Sequence, residues 1–412
     1  MDKKKLVTDL QKDILEIKEK NPKLVSSDIA RLIKCSSGYV REVLRHFWQT
    51  EEEYSDNDDN GKVLIESLKS SKKIQKLQDQ QRIERKIREE YRYDNAISEL
   101  TSELIKIFKN RPKNKVISHK VNNQDNYGIF HLSDTHLNEL INIPSNQFDF
   151  KIASKRLQKM VSESTIIFKS YSIKNVLISF TGDLINSDRR LDELLNMATN
   201  RAKACALSAI LFEQVILDLN KNFNVSIASV SGNEGRVKDE YGISEIMMSD
   251  NYDYTINQIL RLMFRKNKEI KFIDGSCVEL VVNINGKNLL IMHGHQVKAD
   301  HSKSMQSIRG KYSDRGIKID FAIYGHLHSA LITDYYARSS SLCGSNAYSD
   351  NDLQFSSKAS QNIHVFTNKD IHSFKINLQD TENVQGYNID NEIQSYTAKS
   401  YEKISWVEPK KI

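Results

Sequence analysis

Five short stretches of this chain carry side chains of the kinds that bind metal ions, and each follows an apolar run. The run 127–132 predicts a buried strand, and Asp134 and His136 follow it directly. The other four stretches follow β-branched or aliphatic runs and contain the remaining candidates: Asp183, Asn233, Glu234, His293, His295, His326 and His328. Carboxylates, a carboxamide and imidazoles together suit Mn²⁺, Fe or Zn²⁺ better than Ca²⁺, which prefers oxygen alone. Two such ions bridged by one carboxylate can activate water and neutralise an attacked phosphate.

A single histidine in an apolar strand is more often a core residue than a ligand, and we interpret His131 in that way. The clustered set is different, because the same kinds of ligand recur at five strand ends. This recurrence favours a site built along one edge of a β-sandwich.

The order and spacing of these motifs resemble those of the calcineurin-like metallophosphoesterase superfamily over residues 127–378. Its signature is Asp-x-His, Gly-Asp, Gly-Asn-His, His and Gly-His-x-His. The resemblance implies an α/β fold, a two-sheet β-sandwich flanked by helices, with a binuclear centre that we expect to hold Mn²⁺, with Fe or Zn²⁺ as alternatives. It implies seven metal ligands: Asp134, His136 and His328 on one ion, Asn233, His293 and His326 on the other, and Asp183 bridging both.

Glu234 departs from this signature, since the superfamily usually has His after the Asn. A Glu with a raised pKa could act as the general acid. Alternatively, Glu234 only braces its loop. His295 is a second candidate acid, or else a residue that supports the nearby ligand His293.

Arginines follow two of the ligand loops. Arg236 follows Glu234, and Arg189 and Arg190 follow the Asp183 loop. Their guanidinium groups could clamp phosphate oxygens. The alternative, for at least one of them, is a surface pair with Asp188 or Asp239.

Residues 1–50 predict a small all-α, helix-turn-helix-like domain. Helical patterns cover 6–20, 28–33 and 39–47, and we expect Ser26, Ser27 and Asp28 to cap the second helix. In a DNA-binding module of this type the third helix enters the major groove. Here it would present Ser37, Tyr39, Arg41, Glu42 and Arg45. The alternative is a helical protein-interaction unit.

The remaining chain divides by composition. We expect an acidic linker at 51–60, a long helical connector and linker at 61–126, the catalytic domain at 127–380, and a tail at 381–412 without a clear pattern. In the catalytic domain we predict helices at 150–168, 191–219 and 254–264. We also predict that 272–282 pairs with 287–292 through a hairpin turn at Asn285-Gly286.

The net charge of +6 is confined to one part of the chain. Residues 1–120 contain 27 Lys and Arg against 21 Asp and Glu, whereas the rest contains 33 of each. This distribution suits an anionic partner for the N-terminal part of the chain. No apolar run is long enough to cross a bilayer, and the four cysteines lack metal-type spacing. We therefore expect a cytoplasmic protein with reduced thiols, of a bacterium or a phage-infected cell.

These observations favour a metal-dependent DNA nuclease in which the N-terminal helices engage nucleic acid. The alternative is a phosphomonoesterase or cyclic-nucleotide phosphodiesterase whose N-terminal helices serve oligomerisation. A non-catalytic DNA-binding regulator is disfavoured, because all seven ligands are present. A homodimer and a partner ATPase are further expectations.

Overall fold

The computed structural model describes residues 9–47, 74–84, 98–109, 116–119, 126–237, 248–347, 349–350 and 357–403. The acidic linker predicted at 51–60 lies outside the described residues. The chain divides into two compact units, Met1–Glu89 and Glu90–Ile412.

The first unit contains the three predicted helices α1 (Asp9–Lys20), α2 (Ser26–Leu32) and α3 (Ser37–Phe47), and residues 74–84 are also helical. The three helices share a small buried core of Ile14, Ile29, Ala30, Val40 and Val43. The predicted cap of α2 is wrong. Ser26 is already helical, the residue before it is Val25, and Val25 makes no side-chain capping bond.

Among the described residues of the second unit, the larger sheet has six strands. In spatial order they are β13 (Ile371–Asn377), β12 (Ser360–Phe366), β1 (Tyr127–Leu132), β4 (Asn175–Phe180), β5 (Asn224–Ser229) and β6 (Lys271–Phe272). The strands β1, β4, β5 and β6 run parallel. On the other side of β1, β12 is antiparallel to β1, and β13 is antiparallel to β12. The carboxyl ends of β1, β4 and β5 therefore lie at one edge.

The second sheet has five strands in the part of the chain that the structure describes. In spatial order they are β10 (Leu331–Ile332), β11 (Tyr336–Arg338), β9 (Phe321–Tyr324), β8 (Lys287–Met292) and β7 (Glu279–Ile284). The predicted turn at Asn285-Gly286 is present, with positive φ at both residues. The predicted first strand of that hairpin is wrong at its start, because Phe272 belongs to β6 in the other sheet. Two short strands, β2 (Ile141–Ile143) and β3 (Asn146–Phe148), form a separate hairpin.

The two large sheets pack face to face. Side chains from both sheets form one apolar layer, among them Ile129 and Leu177 from the first and Leu289, Ile291 and Ile323 from the second. This layer confirms the predicted sandwich.

Helices cover the outer faces of the sandwich. The first sheet packs against α4 (Phe150–Ser170), α6 (Arg201–Asn220) and α7 (Tyr252–Phe264), and the second against α8 (His301–Ser313). A short helix, α5 (Leu191–Leu195), precedes α6. In the described part of the chain, no helix is long and apolar enough to cross a membrane.

Segments on both sides of the predicted catalytic domain pack against it. Residues 98–109 are helical, and Leu100 and Leu104 contact the core beneath the first sheet. In the tail, the short helix α9 (Asp390–Ser395) lies between Ile389 and Tyr396, which are buried in the same core. A helix of six residues is too short to show an apolar period, so the sequence offered no sign of it.

His131 is a core residue, as the sequence suggested. It is fully buried between the sheets, with its Nε2 atom 3.1 Å from Thr181 Oγ1 and its Nδ1 atom 3.3 Å from Nε2 of His364. Burial lowers the pKa of His131 to about 3. The imidazole is therefore neutral in the folded protein at pH 7.

This buried imidazole predicts a loss of stability in mild acid. Below pH 6.5 the unfolded chain binds a proton at His131, whereas the folded protein does not until about pH 3. Across that window the free energy of unfolding should fall by up to about 4 kcal/mol from this group. His131→Phe removes the group but keeps a planar ring, so its stability should decline less steeply with acid. Urea unfolding of both proteins from pH 7 to 3 tests this, and parallel curves would contradict it.

Candidate metal centre

The loops after β1 and β9 bring three predicted ligands together. Asp134, His136 and His328 each place one ligand atom within 4.8 Å of the others. The His328 Nε2 atom lies 3.4 Å from Asp134 Oδ1 and 3.0 Å from His136 Nε2. This carboxylate and two imidazoles can hold one divalent ion.

A second cluster lies at the same edge, where β4, β5 and β8 end. Asp183, His293 and His326 place their ligand atoms within 4.8 Å of one another. The His293 Nε2 atom lies 3.1 Å from Asp183 Oδ2 and 2.9 Å from Asn233 Oδ1. Six of the seven residues that the resemblance marks as ligands therefore fall in these two groups, Asp183 in the second, and the seventh, Asn233, contacts the second group through His293.

The backbone at these ligands adopts a conformation that L-residues avoid. Five ligands have positive φ angles between 42° and 73°: Asp134, His136, Asp183, His326 and His328. Each such residue costs on the order of 1–3 kcal/mol and persists only where the surrounding structure imposes it. Strain repeated at five polar residues indicates a functional site.

Two glycines allow the loops to approach each other. A Cβ atom on Gly325 would lie 2.0 Å from Asp134 Oδ2, and one on Gly232 would lie 2.1 Å from Asp183 Oδ1. Any side chain at either position would displace a ligand carboxylate. Both glycines are therefore required by the geometry of the ligands.

The electrostatics of the clusters fit a cation. Burial alone would lower the pKa of His293, but the Asp183 carboxylate raises it to about 10. Burial alone would raise the pKa of Asp134, but its hydrogen bond and charge interaction with His328 lower it. Carboxylates thus stabilise protons on the facing imidazoles, and a divalent cation would replace those protons. The tautomer also fits, since the Thr181 carbonyl lies 2.8 Å from His293 Nδ1 and leaves Nε2 to face the cluster.

Glu234 contacts two of the predicted ligands, Asn233 in its own loop and Asp183 in the loop after β4. Its backbone N–H donates to Asp183 Oδ1 at 2.7 Å, and its Oε1 atom accepts from Asn233 Nδ2 at 2.8 Å. The second contact turns the Asn233 oxygen toward the metal ligands. Burial and the charge of Asp183 raise the pKa of Glu234.

The arginines after the ligand loops lie in different environments. Arg189 donates to the Asn233 carbonyl at 3.2 Å and lies 3.7 Å from Glu234 Oε2. Arg190 is exposed and pairs with Glu193 at 3.8 Å. It is therefore a surface arginine, as the alternative expected, but the observed partner is Glu193. One of the two predicted partners, Asp239, lies outside the described residues.

His295 and Arg236 lie near the second cluster. The His295 ring is 5.8 Å from that of His293 and 6.5 Å from that of His326, measured between centroids. Burial lowers the pKa of His295 to about 4, so its ring is neutral at pH 7. The backbone of Arg236 pairs with Asn251.

Sequence reasoning missed Asp253, which holds the ligand loops in place. Its buried carboxylate accepts backbone N–H groups from Asp183 at 2.8 Å, Leu184 at 2.9 Å and Gly232 at 2.9 Å. Asn251 donates to the Gly232 carbonyl at 2.8 Å and caps α7 by accepting from Asp253 N. An Asn two residues before an Asp is a helix-start signal, but it does not reveal bonds to distant loops.

Arg201, at the start of α6, was also missed. It is buried, and it donates to the carbonyls of Glu234 at 2.5 Å and Arg236 at 3.2 Å. Its ion pair with Asp188 at 2.8 Å balances the buried charge. Arg201 therefore supports the loop of Glu234 from the side of the helices.

The comparisons with known proteins give structural likenesses only. No protein-family model matches the chain, and no curated protein sequence matches it. A protein of Streptococcus pneumoniae described as a predicted phosphoesterase is similar to this chain at 13% identity and TM-score 0.27, covering 64% of this chain and 94% of that one. Vps29 of Entamoeba histolytica, solved with Zn²⁺, has 12% identity and TM-score 0.27, covering 61% and 99%. The sulfate thiohydrolase SoxB of Thermus thermophilus has 9% identity and TM-score 0.34, covering 68% and 62%. Because these likenesses are weak, the chemistry of this chain is inferred from its own residues.

The contacts of Asp253 predict its effect on metal binding. Asp253→Ala leaves three backbone N–H groups without their acceptor and frees both ligand loops. The affinity for Mn²⁺ or Zn²⁺, measured by titration calorimetry, should fall by about 10- to 100-fold, the range typical of residues that orient metal ligands. The control Asp390→Ala removes an exposed carboxylate that pairs with Lys151. If the Asp253 variant binds metal as the control does, the carboxylate does not organise the site.

Proposed function

We propose that this protein is a metal-dependent phosphodiesterase that hydrolyses nucleic acid, with DNA as the preferred substrate. The observation that supports this best is the pair of ligand clusters at one sheet edge, each built from a carboxylate and two imidazoles. Sets of this kind recur in two-metal phosphate chemistry.

In such a site each of the described residues would have a separate role. Asp134, His136 and His328 would hold one cation, and Asn233, His293 and His326 the other, with Asp183 between them. The two cations, with Mn²⁺ expected, would neutralise phosphate oxygens and lower the pKa of the attacking water. The Thr181 carbonyl orients the His293 ring, and Asp253 holds the loops of Asp183 and Gly232.

We infer a positioning role for Glu234. Its carboxylate holds the Asn233 amide and its backbone holds Asp183. Arg189 contacts the same loop and places a cation beside these groups. The neutral ring of His295 can donate one hydrogen bond to a phosphate oxygen near the second cluster.

The first unit supports a polyanionic substrate. Ser37, Arg41 and Arg45 follow one another at four-residue spacing on α3, and all three are exposed. Tyr39 is half-buried beside them. The positive excess of the chain also lies in residues 1–120. Together these features support binding of the phosphate backbone by the N-terminal helices.

Asp183→Ala tests the catalytic proposal. Removing the Asp183 carboxylate, which would serve both ions, should empty both positions and lower the rate of DNA cleavage with Mn²⁺ by about 1,000-fold, since single groups that stabilise transition-state charge contribute that much. The measurement uses labelled single- and double-stranded DNA beside a small aryl phosphodiester and monoester. Asp390→Ala should cleave as the wild type does.

The wild-type substrate profile decides between functions. Cleavage of DNA supports the nuclease, and the fragment lengths separate internal from terminal cuts. Turnover of small esters alone supports the phosphomonoesterase or cyclic-nucleotide phosphodiesterase. If no substrate is hydrolysed with any divalent metal, the catalytic proposal is wrong.

A second prediction concerns α3. The double change of Arg41→Ala with Arg45→Ala removes two exposed cations, and kcat/KM on DNA should fall by about tenfold at low salt. The slope of log kcat/KM against log salt should become shallower by about two, since each lost phosphate contact contributes about 0.9. Turnover of the small phosphodiester should not change.

The matched control removes two cations from α1 instead, Lys12→Ala with Lys20→Ala. Both lysines are exposed in the same unit. If the two double variants weaken DNA cleavage equally, net charge matters and α3 is not the binding surface.

A further inference from the structure

A polar cavity lined in part by Ser231, two residues before Asn233, belongs to none of the roles assigned above. It has a volume of about 300 Å³ and opens between the end of β5, the helix α7 and residues 273–280. Its lining includes Ser231, Tyr254, Asn257 and Arg261. The volume is at the lower end of the ~300–1,000 Å³ found for small-molecule sites.

Three residues of this lining each have one buried side-chain atom without a hydrogen-bond partner among the described residues. These atoms are Ser231 Oγ, Asn257 Oδ1 and Arg261 Nε. Ser231 is 1% exposed and Asn257 8% exposed. A buried polar atom without a partner costs about 1–3 kcal/mol, so a molecule that supplied these hydrogen bonds would be stabilised here.

These atoms define the hydrogen-bonding pattern of a ligand. Arg261 Nε–H requires an acceptor, Asn257 Oδ1 requires a donor, and the Ser231 hydroxyl accepts either. An Asn amide matches the adjacent donor and acceptor on the edge of a nucleobase. The Tyr254 ring, 37% exposed, lies in the same lining and offers an aromatic face to a planar ring.

The charges of the lining do not favour a phosphate. The Arg261 guanidinium donates to Asp274 at 2.7 Å and to the Ile273 carbonyl at 2.9 Å. Its positive charge is thus already balanced by a carboxylate in the same lining. A neutral heterocycle suits this cavity better than an anion.

The position of the cavity suits a base that belongs to a bound strand. Ser231 is two residues before Asn233, and two residues span at most about 7 Å of extended chain. A nucleotide whose phosphate lies at the metal ligands could place its own or a neighbouring base at that distance.

We propose that this cavity is a nucleobase-binding subsite in which Asn257 recognises the base. Its link to strand cleavage rests on the proposed function, but the binding of a base does not. The base comes either from a nucleic acid strand or from a free nucleoside, and the chemistry of recognition is the same for both.

Nucleosides test the subsite without catalysis, since they contain no phosphate ester. Adenosine, guanosine, cytidine, uridine and thymidine are titrated into the full-length protein in chelator by calorimetry. We expect at least one to bind in the micromolar to millimolar range, and Asn257→Leu to weaken it by at least tenfold. Tyr254→Ala, at an exposed position that can be changed without unfolding the chain, should weaken it severalfold.

The matched control is Asn283→Leu, which changes an exposed Asn on β7 of the other sheet. It should bind nucleosides as the wild type does, and thermal melting of each variant checks that it is folded. The subsite is excluded if no nucleoside binds at millimolar concentration, as for a cavity that holds only water. It is equally excluded if folded Asn257→Leu and Tyr254→Ala both bind as the wild type does.

An oligonucleotide distinguishes the two sources of the base. If it competes with the nucleoside and its own binding is weakened by Asn257→Leu, the base comes from a strand. If it does not compete, the ligand is a free nucleoside. Both results support the subsite.

Failure of the proposed function would look different from failure of the subsite. If the protein binds nucleosides but hydrolyses no phosphate ester, the subsite proposal stands and the phosphodiesterase proposal is wrong. If the protein cleaves DNA with unchanged kcat/KM after Asn257→Leu and binds no nucleoside, the phosphodiesterase proposal stands and the subsite proposal is wrong.

Discussion

Asp253 lies in the first turn of α7, but its carboxylate bonds to the backbone of two loops that lie far away in the chain. It accepts N–H groups from Asp183 and Leu184 after β4 and from Gly232 after β5. These bonds hold the Asp183 loop against the loop of Asn233, so the second ligand cluster depends on them. Burial and the charge of Asp183 raise the pKa of Asp253 to about 6, so the carboxylate is held at an electrostatic cost. Three backbone donors offset that cost, because each favours the charged form.

The sheets determine which residues can meet at this point. In the first sheet β1, β4 and β5 are parallel, so the loops after them leave from one edge. In the second sheet β8 and β9 are also parallel and deliver His293, His326 and His328. Antiparallel neighbours would have sent alternate loops to opposite edges. The sandwich therefore brings five loops together, and the left-handed backbone at five ligands turns their side chains inward.

The parts of the site that could be predicted from sequence are those with a local signature. An apolar strand followed directly by Asp, Asn or His is such a signature, and the structure places six predicted ligands in the two clusters and the seventh, Asn233, against His293. Asp253 could not be found in this way, because it lies 70 residues from Asp183 and its partners are backbone groups that no residue type reveals. The assignment of Phe272 to the wrong sheet has the same origin. Strand pairing is decided by tertiary packing, and a short β-forming run fits either sheet.

Glu234 shows how the charge of the site is balanced where this chain departs from the signature that it resembles. A carboxylate in place of an imidazole adds a negative charge next to Asp183, and that repulsion together with burial raises the pKa of Glu234. Arg189 lies 3.7 Å away and donates to the Asn233 carbonyl of the same loop. The Arg189 guanidinium therefore opposes the effect of burial and of Asp183 on the pKa of Glu234. The Glu234 Oε1 atom accepts a hydrogen bond from the Asn233 amide, which turns the Asn233 oxygen toward His293.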